Sequence, residues 1–321
     1  MEKLFYELIQ VAVGQLDCLS RGPSPEEWQE LYTTAQRQGI PGICYKGVER
    51  LFEYGLRAPQ DISIDWMSEA EEIRTSNETV DKRCATLQKR LIERKIYTSL
   101  LLGQGVARDY GVELQELRQP NGIDVFVDCG REKAIKFVKQ TGQDVVRYNR
   151  HTVWLDVWKD TETRVLPQVA YSKIPWRNEV VQHWFRHNRE QLFAEQDELV
   201  LPYADMNVVI VLQYISEQLF YGRVDMRLMM DCFFILKKAG GRYGTFKNGM
   251  SVEKVIKSFG IGKIAGGVMW VMQEVFRMDS AILPLKPKEA EGRFILQQVM
   301  KGRQTVQLIK HYPLQMFWNI F

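Results

Sequence analysis

Two short patterns in the chain have residue types and spacing suited to chemistry. Gly103-Gln104-Gly105 follows the strand-forming run Ile96-Tyr97-Thr98-Ser99-Leu100-Leu101-Leu102 and precedes a helix-like segment, Val106 to Tyr110. A strand that turns through small residues into a helix leaves backbone N–H groups at the helix amino end, where they can face a phosphate. Glycines also serve such a turn with no ligand present, because they adopt backbone angles other residues avoid. About twenty residues on, Ile123-Asp124-Val125-Phe126-Val127-Asp128 alternates as a strand does, and Asp124 projects from one face while Ile123 and Val125 take the other. A carboxylate placed so can hold a hard divalent cation, and a pair of such cations stabilises the attacking and leaving oxygens of a phosphoryl displacement.

Other residues have plainer readings. Asp124 also serves as a strand-end acid that accepts from a loop amide. Arg227 and Asp231, spaced i, i+4, are expected to form an intrahelical ion pair. His183 and His187 share one helix face as a surface pair. Trp154 and Trp158, with Val153, Leu155 and Val157 between them, read as the two faces of a strand, and Val268-Met269-Trp270-Val271-Met272 reads as core. Lys301, Arg303, Lys310 and His311, followed by Pro313, Met316, Phe317 and Trp318, form a basic and aromatic tail expected to pack on the body.

The elements that position these residues fall into three regions. Residues 1–95 read as helix throughout. Ser24-Pro25-Glu26-Glu27 carries the capping residue, first-turn proline and third-position acid of a helix start, and Gly39-Ile40-Pro41 stops that helix. Ser63 is expected to cap a longer helix through Trp66, Ile73, Val80, Leu87 and Leu91. Residues 96–200 hold the strand-like runs above, a helix over Arg131 to Gln140, and three further runs: Asp144 to Tyr148, His151 to Trp158 and Thr161 to Leu166. The spacing predicts a small mixed sheet of four or five strands and an α+β class. Residues 201–321 return to helices, opened by Asp205 or Asn207, Asp225 and Ser251.

Charge and composition exclude several classes. With 43 Lys+Arg against 40 Asp+Glu the net charge is +3, too small for a nucleic-acid footprint. No run reaches the ~18 to 20 apolar residues of a membrane span. The first residues lack a secretory pattern, and Cys18, Cys44, Cys84, Cys129 and Cys232 lie far apart, so a cytoplasmic protein with reduced thiols is expected.

Taken in order, Leu101-Leu102-Gly103-Gln104-Gly105, Leu117-Arg118, Gly122-Ile123-Asp124-Val125-Phe126-Val127 and Met226-Arg227-x-x-x-Asp231 resemble a branch of the polymerase-β-like nucleotidyltransferases common in bacteria of the Bacteroides type. The resemblance spans Ile96 to Lys238. It implies that Gly103, Gln104, Gly105 and Arg118 contact the phosphates of a nucleoside triphosphate, that Asp124 holds magnesium, and that Arg227 and Asp231 support the site. The acceptor would be a hydroxyl of a small molecule or a protein.

The chain departs from that pattern at telling places. Leu102 stands where the branch carries a lysine before the Gly-Gln-Gly, and Gly122 where it carries the first acid of an Asp-hydrophobic-Asp pair. Arg164 and Leu166 fall on a Glu-hydrophobic-His pattern, and Tyr214 and Gln218 on two helix histidines. A glycine for one carboxylate and an arginine for another remove two ligands and reverse one charge. Asp109, Asp128, Asp156 and Glu162 are the candidate replacements, Glu162 because it precedes Arg164 by two residues on the same strand face. The sequence therefore predicts a nucleotidyltransferase fold with weakened or lost magnesium-dependent transfer that binds a nucleotide or a partner; retained transfer to a hydroxyl is the alternative.

Overall fold

A computed structural model describes residues 1–141, 145–196 and 199–301 of the chain. The tail from Arg303 to Trp318 lies outside these residues.

Four helices open the chain: α1 (Glu2–Ala12), α2 (Pro25–Arg37), α3 (Pro41–Glu53) and α4 (Gln60–Glu93). The start of α2 is a full capping box. Glu27 N–H donates to Ser24 Oγ at 3.2 Å and Ser24 N–H donates to the Glu27 carboxylate at 2.9 Å. The longest helix begins earlier than its sequence suggests. Pro59 precedes its first residue, and Ser63 sits inside the first turn with its N–H on the Pro59 carbonyl at 2.9 Å. Proline fixes the angle at the helix boundary without a side-chain cap, so Ser63 is not the capping residue. Down the buried stripe of α4, at Trp66, Ala70, Ile73, Val80, Cys84, Leu87 and Leu91, two polar residues intrude, Asn77 and Gln88.

The sheet comprises β1 (Thr98–Leu100), β2 (Ile123–Val127), β3 (Val153–Trp154) and β4 (Thr163–Leu166), in the order β1-β2-β4-β3. β2 and β4 run parallel, and β1 and β3 pair antiparallel at the two edges. Between β1 and β2 lie two short helices, α5 (Gly103–Ala107) and α6 (Val112–Gln115); α7 (Gly130–Lys139) follows β2. Of the run ending at Tyr148, residues 145–148 make no strand and contribute one isolated bridge to Val153, Asp144 lying outside the described residues, and the run through Trp158 turns away after Trp154. Val145 is 79% exposed and Tyr148 56%, so neither has a face to bury that would hold a strand in the sheet.

Alternation along β2 sorts its side chains between two layers. Ile123, Val125 and Val127 join the cluster made with Val80, Cys84, Leu87 and Leu91 of α4 and with Phe137 and Val138 of α7. Asp124 and Phe126 therefore face the opposite layer, where Phe126 joins the larger core. That layer consists of α8 (Pro175–His187), α9 (Ala204–Phe220), α10 (Met226–Ala239), α11 (Val252–Ser258), α12 (Gly262–Phe276) and α13 (Glu289–Lys301), with the segment Val268–Met272 buried except for partly exposed Trp270. A small hairpin, β5 (Ala194–Gln196) with β6 (Leu199–Leu201), lies beside β1, and Gln88 of α4 satisfies both backbone groups of Val200 at 2.9 and 3.0 Å. The class is α+β, a small mixed sheet flanked by helices.

Candidate functional site

The cleft sits where β2, β4, the Gly-Gln-Gly turn, α9 and the start of α10 meet. At its floor Asp124 is the direct neighbour of Arg164 across the parallel pair. Their side chains lie on the same face and close on each other: Arg164 Nε donates to Asp124 Oδ1 and Nη2 to Oδ2, both at 2.6 Å. This two-pronged geometry is the strongest that an arginine and a carboxylate form. Burial pushes the Asp124 carboxyl above its ordinary pKa and Arg164 opposes that rise, while the Asp124 charge holds the guanidinium firmly protonated.

The neighbouring glycine leaves no room for a second carboxylate. Gly122 has φ +83, and a Cβ built there would fall inside the contact shell of the Glu162 carbonyl oxygen, which accepts the Ile123 N–H at 2.8 Å. The position demands glycine twice over, for its backbone angle and for the close approach of β4. Other acids are engaged elsewhere. Glu162 accepts from Trp154 Nε1 at 3.1 Å, Asp128 pairs with Arg189, Asp156 with Arg147 and Asp109 with Lys238. Among the described residues no group of three His, Cys, Asp or Glu side chains is placed to hold a metal ion. A divalent cation of the magnesium kind needs several oxygens, and one carboxylate already clamped by a guanidinium does not fit it.

The Gly-Gln-Gly turn is strained at its entrance. Leu102 has φ 51 and ψ −157, a region rare outside glycine, and Gly103 has φ +48. Both line the cleft. The third member, Gly105, serves packing: a Cβ there would stand 3.0 Å from the Leu100 carbonyl oxygen. Gln104 turns away from the cleft, contrary to its expected contact with phosphate. Its buried amide donates to Asn77 Oδ1 and Asp81 Oδ1 of α4, each at 3.0 Å. Asn77 in turn donates to the carbonyls of Glu116 and Arg118 at 2.6 and 2.8 Å. Asn77 thus ties α4, the glycine turn and the Arg118 segment together. A polar residue in an apolar stripe was the sequence signal for it.

Arg118 is 2% exposed and committed to Asp231: Nε–Oδ1 is 2.7 Å and Nη2–Oδ2 is 2.9 Å. Burial works against the Arg118 charge, and Asp231 more than offsets it. Tyr110 adds its hydroxyl to Asp231 Oδ1 at 2.6 Å. In place of the expected Arg227–Asp231 pair within α10, Asp231 is taken by Arg118, 113 positions away, and Arg227 Nη2 reaches Asp225, two residues before it, at 3.3 Å. The amino end of α10 also opens on the cleft, but the protein caps it from within. Gln38 accepts the N–H groups of Met226 at 2.9 Å and Arg227 at 3.2 Å, and Asp225 Oδ1 accepts that of Leu228 at 3.0 Å.

Tyr214 and Gln218 of α9 complete the wall with Arg223 beyond it. The space left is about 40 Å³. Ligand sites for drug-sized molecules run to ~300–1,000 Å³, so the cleft is narrow in this arrangement. Of the positions that set this chain apart from the resembled branch, Leu102, Gly122, Arg164, Tyr214 and Gln218 line one cleft with Asp124 and Leu166 does not, although the five are scattered along the sequence.

No curated protein and no solved structure matches the chain. No helix among the described residues is long and apolar enough to cross a membrane. A family model described as an uncharacterised nucleotidyltransferase matches residues 24–277, which covers the cleft and reaches into the amino-terminal helices, and the chain belongs to that nucleotidyltransferase family.

Proposed function

We propose that the chain is a degenerate member of its family, of the polymerase-β-like, Bacteroides-type branch, that has lost magnesium-dependent nucleotidyl transfer and acts by binding a nucleotide or a partner. One observation carries the reading: the guanidinium of Arg164 clamps both oxygens of Asp124, the single acid left on the metal strand. An arginine there supplies the positive charge that a cation would supply, without the open coordination positions on which an activated oxygen or a triphosphate would sit. The α10 amino end, Arg118 and Gln104 support the same reading, since each is engaged by another part of the protein. We place the working protein in the cytoplasm, with a helical region over 1–95, the nucleotidyltransferase-like core over 96–200 and a helical region over 201–321.

Calorimetry with the four nucleoside triphosphates, with and without magnesium and with Asp124→Ala as control, tests this. The expected outcome is no binding that depends on both magnesium and Asp124. Binding that requires both overturns the reading and restores an active transferase, with Asp124 as metal ligand and Gly103 and Arg118 at the phosphates.

A further inference from the structure

Three of the four arginines that line the cleft have a carboxylate each: Arg118 has Asp231, Arg164 has Asp124 and Arg227 has Asp225. The fourth, Arg223, breaks the pattern. It is exposed at the rim, just beyond the end of α9, and its guanidinium carbon lies 5.3 Å from the centre of the Tyr221 ring. The same ring carries a second cation, Lys173, whose Nζ stands 3.5 Å from its centre. Neither cationic group has a carboxylate within 4.0 Å among the described residues. Two like charges gathered at one aromatic ring repel each other, and a ring quadrupole offsets only part of that cost.

The acid beneath them, Glu217, offsets the Lys173 charge only in part, because burial opposes its ionisation more than Lys173 favours it. Glu217 is 8% exposed; its carboxyl accepts the Lys173 backbone N–H and Gln213 Nε2, the latter at 3.3 Å, and its Oε2 is buried with no partner. Burial raises its pKa to about 7, so near neutrality it carries only part of a charge. The other titratable groups around it are tyrosines: Tyr171 of the 167–174 segment, which hydrogen-bonds Tyr221 and stacks on His151 at 3.8 Å, and Tyr214 of α9. None supplies a negative charge at neutral pH. The segment is fixed in place by Gln213 Nε2 on the Tyr171 carbonyl at 2.9 Å and Gln182 Nε2 on the Ala170 carbonyl at 2.6 Å, so Lys173 is presented from a tethered backbone.

We propose that Lys173 and Arg223, which share the Tyr221 ring beside the cleft that Arg223 lines, bind the phosphate group of a small ligand without a metal ion. A phosphate dianion matches the two charges, and its oxygens match the fork of an arginine and the point charge of a lysine. The site rests on the reading that the chain binds rather than transfers. It gives that binding a chemical class, a phosphate free or borne by a nucleotide, and a place outside the closed floor.

Titration of the full chain with inorganic phosphate and, separately, with AMP, both in EDTA and followed by calorimetry, tests the site. Lys173→Gln and Arg223→Gln are each expected to weaken binding about tenfold, and Lys136→Gln, an exposed charge on α7, to leave it unchanged. Tighter binding of AMP than of phosphate identifies a nucleotide as the source, and equal binding identifies the free ion. Absence of saturable binding of either probe at millimolar concentration overturns the site, as does binding that neither rim substitution weakens. Magnesium- and Asp124-dependent triphosphate binding, by contrast, overturns the loss of transfer and leaves the rim result standing, so the two failures are distinguishable.

Discussion

Asp124 and Arg164 are register neighbours on two parallel strands, and their side chains join through two hydrogen bonds of 2.6 Å on the face that looks into the cleft. The pair sits where the resembled family gathers carboxylates. Each of the two charges is neutralised by the other.

Removing one partner should show how much the fold depends on the pair. Arg164→Met leaves Asp124 largely buried beside an apolar chain, and a buried carboxylate without a partner is costly. Because the Arg164 side chain keeps a quarter of its surface exposed, we expect a loss of about 2 kcal/mol rather than the larger cost of a fully buried pair. The double variant Asp124→Leu/Arg164→Met should recover most of it. Urea denaturation at neutral pH measures both, and a single variant as stable as the parent chain would contradict the account.

Gly122→Asp tests whether the missing ligand can be restored in one step. The substitution meets a positive φ and the Glu162 carbonyl together, so the backbone must move before any carboxylate can face Asp124. A destabilisation of about 2–4 kcal/mol is expected, with no gain in manganese affinity. Gly122→Ala should cost nearly as much, since the conflict arises at Cβ and not at the acid. Manganese binding by Gly122→Asp, read by electron paramagnetic resonance, would show the strand more yielding than its geometry indicates.

Local signals carried much of the fold. Ser24, Asp225 and Ser251 each cap the helix their sequence context announces, because a cap is decided within three residues. Asp124 could be placed on a strand face from alternation alone. What stayed hidden was long-range pairing. Arg118 and Asp231 lie 113 positions apart, and nothing near Asp231 distinguishes that partner from Arg227 four residues away. Gln38 likewise follows an ordinary helix end, and its role at the amino end of α10, 188 positions on, exists only once the helices pack. The Ser63 expectation failed locally, since Pro59 starts α4 without needing a side chain.

The buried knot of Tyr110, Arg118 and Asp231 should prove more costly to cut at the carboxylate than at the phenol. Asp231→Asn removes the charge that compensates Arg118 in a site 2% exposed, for an expected loss of about 3–5 kcal/mol. Tyr110→Phe deletes one hydrogen bond and leaves Asp231 held by the guanidinium, for about 1 kcal/mol. Thermal denaturation of the two variants checks the order, and equal losses would mean that the ion pair holds α10 no more firmly than the hydrogen bond of the phenol does.

Glu217 should give the chain an unusual slope of stability with pH. Its pKa is raised by burial from 4.5 to about 7, so between those values the folded chain holds a proton that the unfolded chain has released. Stability rises with pH only where the unfolded state binds more protons, and here the folded state binds more. The contribution of Glu217 therefore falls as pH climbs from about 5 to about 8, by up to about 3 kcal/mol, with the full loss present above the folded pKa. Glu217→Gln keeps the acceptor for the Lys173 N–H and removes the titration. It should match the parent chain at pH 5, exceed it at pH 8 and flatten the slope between. Parallel slopes in the two proteins, measured by urea denaturation across that range, would assign the pH dependence to another group.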